Sequence, residues 1–176
     1  MPVKHGKGRE PSGGMILASP APDRPSAQKS LTLATMTKLE TILPEDIEWK
    51  PFPALPPPVR LAVVFGQPTE PGLFVIRVKV PSGVKLMPHK HSEDRVYTVM
   101  SGVFYVGLGD QFDDGKLEAY PPGSVIFLPH DTSHFHWAKS GEYVTQVSAI
   151  GPLGLEYVNR RDDPRGARIP PDLPRR

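Results

Sequence analysis

Five of the six histidines in this 176-residue chain fall between His89 and His136. His89 and His91 are separated by one residue. In an extended strand, residues two apart project to the same face, roughly 6–7 Å apart along the chain. Two neutral imidazoles on one face can converge on a single ion at about 2.0–2.1 Å each. A third ligand then has to come from another strand. His134, in the segment Pro129-His-Asp-Thr-Ser-His134-Phe-His136, is the candidate. Three histidines inside an apolar interior need partners, and one cation satisfies all three at once. His136 lies two past His134 and shares its face in a regular strand. It reads as a fourth ligand, a proton shuttle, or an interior histidine held by a hydrogen bond. His130 belongs to a turn at the rim, and His5 carries no signal. With no cysteine in the chain, thiolate sites, disulfides and thiol catalysis are excluded. No Gly-x-Ser-x-Gly elbow and no phosphate-cradling glycine loop is present.

The elements that must position these rings read as strands. Short runs rich in Val, Ile, Phe, Tyr and Thr occur at 61–65, 73–80, 96–100, 103–108, 117–120, 124–128, 134–138, 143–150 and 155–158. Turn residues separate them: Pro71-Gly72, Ser82-Gly83, Ser101-Gly102, Asp113-Asp-Gly115, Pro121-Pro-Gly123, Ser140-Gly141 and Gly151-Pro152. Many short strands without intervening helices predict an all-β sandwich or barrel. Tyr97, Tyr105, Phe127 and Trp137 read as aromatic residues filling or flanking it. Glu93 and Asp94 read as a solvated acidic turn that can pair with Arg95.

The flanks differ in texture. Residues 1–35 are rich in Pro, Gly, Ser and charge and are expected to be disordered, with Met15 or Met36 as alternative starts. Residues 36–58 form an N-terminal arm ending in Pro51-Phe-Pro-Ala-Leu-Pro-Pro-Pro58, extended and suited to lie across the barrel or a neighbouring subunit, or to serve as a plain linker. The barrel is expected over 59–159 and a Pro/Arg/Asp-rich tail over 160–176. A net charge of +2, without a basic stripe, argues against nucleic acid as a partner. No run has the length of a membrane span, and a cytoplasmic location is the default expectation.

The order of landmarks resembles the cupin superfamily. Gly83, five residues, His89-Lys-His91 and Gly102 match its first motif; Pro121-Pro-Gly123 followed by Pro129-His-Asp-Thr-Ser-His134 matches its second. Asp131 replaces the turn glycine, an exchange that a left-handed backbone permits. The likeness covers roughly 59–159 and looks like a small single-domain cupin of the RmlC-like, cupin_2 type. It implies a double-stranded β-helix, or jelly-roll, barrel. It also implies a divalent metal ion (Fe, Mn, Ni or Zn) held by His89, His91 and His134, a small-molecule ligand, and a homodimer. The superfamily's glutamate ligand would fall at 95, where this chain has Arg95. A guanidinium cannot ligate a metal. Four readings follow: Glu93 or Asp94 supplies the carboxylate; three histidines suffice with open positions; Arg95 holds an anionic substrate beside the metal; or metal binding has been lost. The expectation taken forward is a metal-dependent enzyme, dioxygenase-like or a Lewis-acid isomerase or decarboxylase, with Arg95 and His136 as catalytic residues. The alternative is a non-catalytic module binding a small ligand or metal.

Overall fold

In a computed structural model, residues 39–166 are described. Expectations for residues 1–38, including disorder and the alternative starts, and for residues 167–176 lie outside them.

Ten strands form: β1 (Arg60–Phe65), β2 (Gly72–Val80), β3 (Lys85–Lys90), β4 (Arg95–Ser101), β5 (Phe104–Leu108), β6 (Glu118–Tyr120), β7 (Val125–Leu128), β8 (His134–Trp137), β9 (Tyr143–Gly151) and β10 (Glu156–Tyr157). All ladders are antiparallel. One sheet has the order β1-β2-β9-β4-β7, the other β10-β3-β8-β5-β6. Short 3₁₀ turns are present, and no α-helix occurs among the described residues. This is the all-β fold that the turn spacing predicts, in the jelly-roll form that the cupin resemblance implies. The nine expected strands form within a residue of their predicted limits. The tenth, β3, was not among them. Pro88 interrupts its alternation and supplies no N–H to a ladder, and the β3–β8 register slips between Leu86 and His89.

Alternation of side chains sets the interior. On β9, Tyr143, Thr145, Val147 and Ala149 are buried while the residues between them are not. On β4, Arg95, Tyr97 and Val99 share the inward face. Phe74, Ile76 and Val80 of β2 meet Leu86 and Phe104 from the opposite sheet in one core. At the turn before β8, Asp131 takes φ 56°, the left-handed conformation expected of it.

The proline arm lies against its own barrel. Lys50 bridges to Leu61, Ala54 and Leu55 are buried, and the Tyr157 hydroxyl donates to the Ala54 carbonyl at 2.9 Å. The start of the expected loose tail also folds back, with Arg165 donating to the Leu155 carbonyl at 3.1 Å.

Candidate metal centre

The β3–β8 ladder sets His89 directly opposite His134. Their ring centres stand 4.3 Å apart. His136, two residues along β8, turns to the same interior and lies 5.0 Å from His134 and 5.3 Å from His89. His91 lies one residue past the end of β3, 5.0 Å from His89 and 5.2 Å from His134. All four rings are buried. Ligand atoms of His89, His134 and His136 fall within 4.8 Å of one another. That group shares His89 and His134 with the expected His89, His91 and His134 and has His136 in place of His91, while by ring centres the two triads are equally close. β8 keeps regular alternation, whereas His91 has left its strand and leans toward Gly154.

The outer ring nitrogens determine what the inner ones can do. Nδ1 of His89 meets the Met87 carbonyl at 2.7 Å, Nδ1 of His91 the Gly154 carbonyl at 2.6 Å, and Nδ1 of His134 the Thr132 carbonyl at 2.9 Å. A carbonyl only accepts, so each Nδ1 donates and each Nε2 keeps its lone pair. Metal-binding imidazoles are fixed in this way by their second nitrogen. His136 differs, because its Nδ1 faces the Tyr143 hydroxyl at 3.4 Å, a group able to give or accept a proton. Burial lowers the pKa of His89 to about 4 and pushes His91, His134 and His136 well below the usual histidine range. The rings are therefore neutral donors at pH 7. The Nε2 atoms of His134 and His136 are buried without any hydrogen-bond partner. Orphaned buried nitrogens are costly unless something binds them, and this donor set fits a divalent cation.

Arg95 faces inward, but its charge is already matched. Its Nε donates to Glu93 Oε1 at 2.9 Å, its Nη2 donates to the same oxygen, and Nη2 also reaches the Gly154 carbonyl at 3.3 Å. Glu93 is buried, not solvated as expected from the sequence. Its other oxygen accepts from Gly154 N at 2.9 Å and from Ser92 Oγ at 3.1 Å. The reading in which Glu93 supplies the carboxylate to the metal is thus opposed by its commitment to Arg95 and Gly154. Asp94 points outward and pairs with exposed His130 at 2.8 Å, so it supplies no carboxylate to the rings. The space beside the rings is small, about 30 Å³, and mostly apolar, with Phe52, Leu61, Leu153 and Leu155 among its walls. Sequence reasoning missed Gly154, Tyr143 and the arm residue Phe52, which reach the site only through tertiary contacts.

A family model described as the ChrR cupin-like domain matches residues 37–145. The chain belongs to the ChrR cupin-like family. Cupin barrels of known structure share its fold. The polyketide cyclase RemF from Streptomyces resistomycificus is 18% identical, with 76% of this chain and 95% of that one covered at a TM-score of 0.59. An RmlC-like cupin protein from Ralstonia eutropha is 19% identical, covering 74% and 79% at 0.56. A cupin 2 conserved barrel protein from Rhodopseudomonas palustris is 14% identical, covering 70% and 87% at 0.53. At these identities the likeness concerns the fold. No curated protein matches the chain in sequence. No helix among the described residues is long and apolar enough to cross a membrane.

Proposed function

We propose that this cupin is a metal-dependent enzyme acting on a small anionic organic molecule. His89, His91 and His134 hold a divalent ion through Nε2, and His136 stands beside them as a further donor or proton carrier. The observation that carries this reading is the packing of His89, His91 and His134, ring centres 4.3 to 5.2 Å apart, around a buried and unpartnered Nε2 of His134. When bound, such an ion supplies Lewis-acid polarisation or, for a redox metal, oxygen chemistry. The protein's own groups favour a ligand that brings negative charge. Four neutral imidazoles add none, and Glu93 is committed to Arg95 and Gly154. A cation's charge in an apolar interior is strongly unfavourable unless balanced. Arg95, the catalytic candidate for gripping a substrate anion, lines the same space with its charge already paired. The anion is therefore expected to be drawn to the metal more than to Arg95.

The second reading, a non-catalytic metal-binding module, is favoured by the tightness of the cavity. Titration of metal-stripped protein with Fe(II), Mn(II), Ni(II) and Zn(II), followed by oxygen-uptake and product assays on small organic acids, separates the two. Tight binding with turnover supports the enzyme. Tight binding without turnover supports the module, and absence of binding contradicts both.

A further inference from the structure

The three imidazoles that donate to backbone carbonyls are not held alike. His89 uses Met87 and His134 uses Thr132, each two residues back in its own segment. His91 uses Gly154, 63 residues downstream. Gly154 is in turn gripped from both sides of its peptide unit. Its N–H is taken by Glu93, and its carbonyl receives Arg95 as well as His91. Arg95 and Glu93 are joined to each other by two donors on one carboxylate oxygen. The approach is too close for a side chain, since a Cβ on Gly154 would stand 2.2 Å from Ser92 Oγ.

We propose that Glu93 and Arg95 are positioning residues, a buried grip on Gly154 that sets the tautomer and direction of the His91 ring. The purpose of the grip rests on the metal-centre reading; its test does not. Fixing the Gly154 carbonyl forces the proton of His91 onto Nδ1 and leaves the Nε2 lone pair free, as metal ligation requires. The same grip seats Leu153 and Leu155, the neighbours of Gly154, as walls of the cavity. An arginine at this position is thus no mere loss of a carboxylate ligand. It holds Glu93, and Glu93 holds the segment on which His91 leans. A planar fork is suited to this, because it meets the carboxylate and the carbonyl together.

Long-range ¹H–¹⁵N correlation spectra of the metal-free, full-length chain report the tautomer of each imidazole. In the unaltered protein His89, His91 and His134 are all expected in the Nδ1–H form. The double variant Glu93→Gln/Arg95→Met removes both charges together. In it His91 is expected to become a mixture of tautomers, while His89 and His134 keep theirs. Its Co(II) affinity is expected to fall by roughly 10–100-fold, the usual effect of losing a ligand's outer partner. If that variant does not fold, Gly154→Ala displaces the same carbonyl and is expected to release His91 alone. An Nε2–H form of His91 in the unaltered chain overturns the proposal without any variant. An unchanged His91 in a folded variant overturns it too. Tautomers that behave as expected in a protein that takes up no Co(II) would refute the metal reading and leave the grip standing.

Discussion

The β3–β8 ladder and the segment around Gly154 both bury polar groups, and they do so in opposite ways. On the ladder, His89 and His134 face each other as neutral rings, each satisfied by a carbonyl two residues away. Around Gly154, opposite charges cancel across contacts that join residues 93 and 95 to residue 154. The first arrangement needs only two strands in register. The second needs the whole barrel to have closed. Local satisfaction should therefore tolerate changes elsewhere, whereas the long-range network should fail as a unit when one member is removed.

Breaking one member of the ion pair should have the largest effect. Arg95→Ala leaves Glu93 buried and uncompensated, a cost of about 3–5 kcal/mol in urea unfolding. Glu93→Gln/Arg95→Met should cost much less, because no buried charge is left alone. Arg95→Glu, which would restore the superfamily's ligand type, should also be strongly destabilising here because Glu93 already occupies the neighbouring space. Equal stability of Arg95→Ala and the double variant would show that the pair is not a unit.

Acid tests the neutral side. Burial holds His89 at about 4 in the folded protein, against about 6.5 when unfolded. As pH falls, the unfolded chain takes the proton first. The stability contribution is thus present above pH 6.5 and lost on the way down to 4, roughly 3 kcal/mol for this ring. His91, His134 and His136 are displaced in the same direction and should add to the loss. Urea unfolding of metal-free protein at pH 7 and pH 4.5 measures it, and equal midpoints would contradict neutral, buried rings.

A smaller effect should come from the back of β8. A Cβ on Gly107 would lie 2.4 Å from the ring of buried Phe135, the residue between His134 and His136. Gly107→Ala should cost about 1–3 kcal/mol by overpacking and lower metal affinity without disturbing the His91 tautomer. The smallest effect is expected at the rim, where His130→Ala removes an exposed partner of Asp94 and should leave metal content unchanged.

The same division governs what the sequence disclosed. That His89 and His134 would meet was legible from the residues, whereas His91 joins them from one residue beyond the end of β3, where the period of two no longer applies. The nine regular strands were legible from alternation and turn chemistry. β3 was not, because Pro88 and the flanking lysines hide its pattern, although it carries His89. The pairing of Glu93 with Arg95 was legible, but the burial of Glu93 was not, because Ser92-Glu-Asp-Arg95 has the composition of a solvated turn. Its burial depends on Gly154, 61 residues away. Ala54 and Leu55 sit in a proline run that reads equally as an arm across the barrel or as a linker; both are buried, Leu55 in the core and Ala54 with its carbonyl bonded to the Tyr157 hydroxyl.

In the proposed metal centre, rings from β3 and β8 share one cation. The most direct measurement is elemental analysis of protein purified without chelator or His-tag, beside a His89→Ala/His134→Ala variant prepared identically. The unaltered chain should carry about one divalent ion held by its imidazoles, and the variant should carry almost none. Equal metal content in the two would mean that these rings do not hold the ion.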